Sequence, residues 1–568
     1  MAFGQHLGDA LPDARSCTGH DYYGCHLATS LSIHRRRCRS KPDSSAADKL
    51  DNRTVYGIQS SSKGNGQVIL GEPLEAGKRP IEVHQALADR TGRDAADKPG
   101  SPSCPSMVPT RGASKKDMVD RILNTPMERI GSSMSESLDL DRGTCPREEV
   151  AECPMSRYAR LRTEDPVHWD AENDRYVVST HDLVLEVLRA PETFRQWDGD
   201  EIYGPDKAPP MGNPRNWSPG LAEVMSEGFP PVSTLVTGNP PRHSRYRKLA
   251  NSLFAARRTA IAMTDPMQQM VDDLIDAFPA SGPVEFVEAF AQVLPSKVIA
   301  AILGVPDDMY ERFAQWADAA ILTTNGMPVA DDEMIEHGRR IVEAQHYFSE
   351  RLEERRGKPG EDVISFVANA RLEVEDGEPR PLRREEQFGL LMHFVTGGTE
   401  TTANFLGLLL NEVLGDPVLK QRASDPSARA KVVEEALRLQ APVQALFRRA
   451  TRDTELGGVA IRKGAKILVV FGSANRDAAA FGDADTFDAE RTDLQRHLTF
   501  GHGIHHCLGA PLARKESELA LTTLLNRIPT LRLADDRTPV LRPMAFFRGY
   551  EQIHLDYDEI LPRRTETK

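Results

Sequence analysis

Between residues 384 and 414 apolar side chains recur on nearly every face of one helical pattern, among them Leu390, Leu391, Phe394, Val395, Phe405, Leu406, Leu409 and Leu410. A helix that is apolar all round belongs in an interior, so this stretch is predicted to run through the core as one long helix. In its middle stands Gly397-Gly398-Thr399-Glu400-Thr401-Thr402. That motif works against a helix, because each glycine costs up to about 1 kcal/mol relative to alanine. Upstream, residues 158–169 read as a helix stopped before Pro166, residues 175–179 as a strand and residues 181–189 as another helix. Residues 190–241 turn irregular and rich in Pro, Gly, Asp and Trp, the composition of a long binding or gating loop. Helical periodicity then dominates to about residue 441, followed by short strand patterns such as residues 466–471. No internal repeat is present. The pattern is mainly α with small β-sheets.

Residues 1–115 lack this patterning. They mix Ser, Gly, Pro, Asp and Arg with little sustained amphipathicity, and such a segment buries too little apolar surface to offset its ordering entropy. Disorder is the expectation there, with a short helix possible over 118–130 and Met127 or Met134 as alternative starts. Order is expected from near Glu148, which divides the chain into a low-order extension, 1–147, and a folded domain, 148–568. A net charge of −13 argues against general nucleic-acid binding. No apolar run approaches the roughly 18–20 residues that span a bilayer, and the first residues lack the order of a secretory signal, so a cytoplasmic protein without a membrane anchor is expected. Six of the seven cysteines lie in the first 153 residues without a disulfide framework. His20, Cys25, His26, His34 and Cys38 read as incidental composition.

The seventh cysteine, Cys507, lies in Phe-Gly-His-Gly-Ile-His-His-Cys-Leu-Gly over residues 500–509, a glycine-rich turn opening an amphipathic helix. A thiolate gains there from unpaired N–H groups and the positive end of the helix dipole. Gly501, Gly503 and Gly509 suit a backbone passing close to something flat. A lone cysteine is more often a small buried hydrophobe. Zinc is a second alternative, given His497, His502, His505 and His506 nearby, but paired ligand spacing is missing.

The loop resembles the haem-binding loop of the cytochrome P-450 family, Phe-x-x-Gly-x-(Arg/His)-x-Cys-x-Gly, at Phe500, Gly503, His505, Cys507 and Gly509. The resemblance implies the cytochrome P-450 fold, in its soluble bacterial type, over roughly residues 150–560. It makes Cys507 the axial ligand of the iron of haem b (iron protoporphyrin IX), with Phe500, Gly501, Gly398 and Gly509 beside the cofactor. His243, Arg247, Arg448 and His505 become the partners of its propionates, with Arg245 and Arg449 as near neighbours. The motif over residues 397–402 is similar to the family's oxygen-binding motif, which casts Thr401 and Glu400 as an alcohol and acid that deliver protons during oxygen activation. A glycine kink with an exposed Glu is the plainer alternative. Glu435 and Arg438 would form the family's structural ion pair, joined by Arg491.

The function implied is a haem-thiolate monooxygenase that inserts one atom of O2 into a hydrophobic small molecule, a terpenoid, steroid, fatty acyl or aromatic compound. Its pocket would draw on the 196–236 loop, His393, Val395, Ala445, Leu446, Phe447, Phe546 and Phe547, with His393 more readily a core residue than a ligand. The sequence carries no flavin, nicotinamide or iron–sulfur signature, so electrons are expected from a ferredoxin with its reductase. They would dock near Arg247, Arg496, Arg514 and Lys515. A peroxygenase or isomerase, or a haem sensor or electron carrier, are the alternatives.

Overall fold

The computed structural model describes residues 154–563 apart from 197–216, 254–255, 323–328, 359, 376 and 545. The extension, the boundary near Glu148 and the helix over 118–130 therefore lie outside the described residues.

Helix α1 (Met155–Glu164) ends before Pro166, as the proline requires. Past it, β1 (Val167–Asp170) turns back on β2 (Arg175–Val178) in antiparallel register, with Trp169 opposite Tyr176. Helix α2 (His181–Arg189) and β3 (Phe194–Arg195) follow. The stretch expected to be irregular also contains a short helix, Pro219–Met225. Ser218 caps it by accepting the Leu221 N–H, and Leu221 and Met225 pack on Met334 and Val342 of the helix Asp331–Arg355.

Helices α3 (Arg242–Leu253) and α4 (Val293–Leu303) lead to the central feature. The helix expected over 384–414 is two helices, α5 (Arg384–Gly398) and α6 (Glu400–Gly415), meeting at Thr399. The Thr399 hydroxyl donates to the Val395 carbonyl at 2.8 Å and the Thr401 hydroxyl to the Gly397 carbonyl at 2.9 Å. Side-chain donors on the carbonyls one turn back loosen the backbone ladder, and two adjacent glycines give it little resistance. The pair still runs through the core: Leu390, Leu391, Phe405 and Leu409 join one apolar cluster with Val298 of α4, Val433 of α7 (Pro426–Gln440) and Leu524 of α8 (Ala510–Arg527).

Strands β4 (Ala445–Ala450) and β5 (Lys466–Val470) complete a five-stranded sheet in the order β1-β2-β5-β4-β3, with only the β2–β5 pair parallel. The unbroken apolar run of β5 follows from burial on both faces. Ile467 and Val469 pack with Val184 and Leu188 of α2, while Leu468 and Val470 pack with Leu161 of α1. Among the described residues no helix is long and apolar enough to cross a membrane.

Candidate functional site

Gly501 and Gly503 hold φ near +67° and +69°, and a Cβ on Gly503 would stand 2.9 Å from the Leu188 carbonyl. Other residues would strain both positions. The turn they allow folds Cys507 back on Phe500, whose carbonyl accepts the Cys507 N–H at 2.8 Å. Cys507 lies deep in the protein with its surface open to a cavity. Burial raises the thiol pKa; the Gly509 amide, Arg247 and the Ala510 amide act against burial and favour the thiolate.

The loop is fastened from below. Arg514 stacks over the Phe500 ring at 4.4 Å and forks onto Glu434 with two bonds of 2.7 Å, and His497 meets the same carboxylate at 2.9 Å. Burial disfavours the Glu434 charge, but His497 and Arg514 outweigh it and hold the pKa at about 2. One residue on, Glu435 and Arg438 are both 0% exposed and share two bonds of 2.7 Å, with Arg491 at 3.1 Å from Glu435. Arg438 also donates to the Asn475 and Ala484 carbonyls, tying α7 to the segment that precedes the cysteine loop. The sequence-predicted triad thus meets. Glu434 and His497, which are equally involved, carry no separate sequence signal, because adjacent acidic residues on a helix look alike before packing tells them apart.

Above the loop four basic groups gather. His243, only 1% exposed, lies 4.1 Å from His505 ring to ring, and neither of its nitrogens has a hydrogen-bond partner. Arg247 donates to the His506 carbonyl and Arg448 to Gln196 Oε1. Burial, followed by their mutual repulsion, presses His505 to about 3; burial and Arg247 take His243 to about 4; burial alone takes Arg448 to about 10. Among the described residues none of the four pairs with a carboxylate. An anionic partner is what this cluster chemically suits. Arg449 turns to the Gly464 carbonyl and Arg245 to Glu375, so neither joins it.

The cavity, about 320 Å³, is walled by His393, Phe394, Gly397, Gly398, Thr401, Thr402 and Phe405 of the central pair, Leu446 and Arg448 of β4, and Phe500, Gly501, His505, Cys507 and Gly509 of the loop. Helical and strand geometry decide the rest. Val395, one step round α5 from Phe394, is buried in the core, and Phe447, between the inward Leu446 and Arg448, points to the other sheet face, where it packs with Phe546 at 5.1 Å. Phe547 bridges to Val443 and does not line the cavity. Gly398 is crowded by Ile299 of α4, whereas a Cβ on Gly397 would meet nothing within 4 Å.

Thr401 faces the cavity and Glu400 turns from it, 3.8 Å from Arg542. Burial raises the Glu400 carboxyl to about 7 despite Arg542, with Asp318 adding to the rise. Glu516 also lines the cavity; it is 2% exposed, its Oε1 has no partner, and burial pushes it to about 8. Its spacing with Gly509, Leu512 and Ala513, an acid on an apolar helical stripe, was the signal available for it. His393 sits on the cavity wall, its Nδ1 2.7 Å from Thr234 Oγ1. Of the expected docking residues, Arg514 is engaged with Glu434 and Arg496 with the Ala480 carbonyl. Among the described residues no group of three or more His, Cys, Asp or Glu side chains is arranged to hold a metal ion.

The family model Cytochrome P-450 matches residues 429–542. The chain is 35% identical to 6-deoxyerythronolide B hydroxylase of Saccharopolyspora erythraea over 411 residues, 68% of this chain and 98% of that one. It is 37% identical to mycinamicin IV hydroxylase/epoxidase of Micromonospora griseorubida, over 67% of this chain and 90% of that one. The crystal structure of CYP109E1 from Bacillus megaterium in complex with testosterone superposes with a TM-score of 0.59 at 28% identity, covering 72% of this chain and 99% of that one.

Proposed function

Because the chain belongs to the cytochrome P-450 family and is a monooxygenase of that family, we propose that it oxidises a hydrophobic small molecule with electrons from a separate ferredoxin and its reductase, using haem b. The observation that carries this reading is the Cys507 sulfur, open to an apolar cavity that Gly397 and Thr401 wall from the central helices. The residues present fit the cofactor: a thiolate backed by amides on one side, basic groups without a carboxylate partner among the described residues at the rim, the His243 ring with no hydrogen bond at all, and a glycine with open space before it. When bound, haem supplies the activation of O2. Cys507 would hold its iron, and Arg247, Arg448 and His505, with His243 behind them, would hold its carboxylates. Glu435, Arg438 and Arg491 would keep the loop's approach rigid.

Thr401 and Glu400 are assigned the protons. Near neutral pH the Glu400 carboxyl is poised to give up its proton at one moment and regain it at the next. The Thr401 hydroxyl, on the cavity side of the same turn, would pass it inward from its Oγ1. A sensor or electron carrier has no use for such a relay, which favours the enzyme. The apolar walls suit a terpenoid, steroid, fatty acyl or aromatic substrate, and the testosterone-bound neighbour favours a steroid-sized molecule.

The test is spectroscopic. The reduced, carbon-monoxide-treated protein is expected to show the thiolate-type red shift, and Cys507→Ala to lose it. Survival of that band in the variant would remove Cys507 from the site.

A further inference from the structure

Most of the cavity wall away from the cysteine loop is apolar: Leu235, Val236, Ile299, Phe394, Val443 and Leu446. His393 interrupts it. The ring is fixed by Thr234, a fully buried residue whose hydroxyl lies 2.7 Å from His393 Nδ1. A buried hydroxyl has to spend its hydrogen, and Nδ1 is the acceptor within reach among the described residues. Thr234 therefore donates, Nδ1 accepts, and the ring's own hydrogen is left on Nε2. Burial, which takes His393 to about 4, keeps the ring neutral in this form at physiological pH. Nε2 has no partner among the described residues and keeps accessible surface on a residue that lines the cavity, so it opens there. Neither the thiolate side nor the basic cluster uses it.

We propose that His393 Nε2–H is a substrate anchor, and that the molecule oxidised here is an apolar skeleton bearing an acceptor oxygen, a ketone or hydroxyl, at the end remote from Thr401. The separation follows from the fold: His393 stands on α5 and Thr401 at the start of α6, on either side of the Thr399 junction, and both line the cavity. A substrate held by its oxygen at His393 presents carbon, not its polar end, to Thr401. A pure hydrocarbon would leave a desolvated N–H unpaired and bind more weakly. The inference rests on the haem-thiolate reading of the same cavity.

The test compares androstan-3-one with androstane, one rigid skeleton with and without the oxygen, by titrating the haem spin-state change of the full-length holoprotein. The ketone is expected to half-saturate the native protein at a concentration about tenfold lower than the hydrocarbon. In His393→Phe, which keeps an aromatic ring of similar bulk, the two affinities should agree within about twofold. Thr234→Val leaves the imidazole in place but releases its tautomer, and the gap should narrow there as well. Equal affinities in the native protein, no response to the ketone, or a gap undiminished in both variants would overturn the anchor. The thiolate-type carbon-monoxide band is recorded for every sample: its presence with equal affinities rejects the anchor alone, and its absence from the native protein rejects the reading beneath it.

Discussion

Thr401 and Glu400 are neighbours in the chain that look in opposite directions, one into the cavity and one toward Arg542. That division predicts separable defects. Thr401→Ala should leave haem and substrate binding within about twofold of the native protein while product per reducing equivalent falls about tenfold or more and hydrogen peroxide rises. Product, peroxide and reductant measured together decide it; unchanged coupling would remove Thr401 from the mechanism. Glu400→Gln should slow turnover, and the inflection near pH 7 that its raised carboxyl gives the native rate should vanish. Glu516 makes a different prediction. Burial lifts its folded pKa to about 8, above the 4.5 of a solvated glutamate, so between those values the folded state holds a proton that the unfolded state has released. Stability tied to this group is complete at low pH and falls as pH rises through about 8. Thermal or urea unfolding should show the native protein losing about 2–3 kcal/mol between pH 6 and 8 that Glu516→Gln does not lose. Parallel profiles would mean that the carboxyl has a partner.

At the scale of elements, the paired glycines of the α5–α6 junction have different duties. Gly398 admits Ile299 of α4, and Gly397 faces open space. Gly398→Ala should therefore cost about 1–3 kcal/mol in unfolding experiments through overpacking. Gly397→Ala should leave stability unchanged or raise it by up to about 1 kcal/mol through helix propensity, while its methyl group weakens haem uptake. The reverse order of effects would show the junction to be misassigned. The same scale shows what a one-dimensional pattern can and cannot carry. The motif was legible because glycine and threonine are costly inside an apolar helix; the break at Thr399 was not, because it depends on which carbonyls the hydroxyls reach. In β4 the residues Ala445, Leu446 and Phe447 all look suited to a pocket, yet the pleat allows only Leu446 to face the site beside Arg448. Val395 fails for the helical version of the same reason.

For the whole molecule, the largest apolar cluster of the described residues joins α4 to α8, and the composition of residues 1–147 offers little to add to it. A chain beginning at residue 134 should fold and take up haem as the full chain does, within about 1 kcal/mol in stability; failure to bind haem would show that the missing residues are structural. By itself the sequence determined the mainly helical class, the cysteine loop and the central motif, which are written in periodicity and in spacing over a few residues, whereas the Glu435–Arg438 pair was implied by the family resemblance, since Glu-x-x-Arg alone fits a solvated helical pair as well. Only the tertiary structure decided that Glu434 rather than a free surface takes up Arg514, that Glu516 is a lone buried acid, and that Thr234 locks the ring of His393. These depend on contacts between residues 80 or more positions apart, or on solvent being excluded from a group, and burial is a property of the packed assembly that no local pattern encodes.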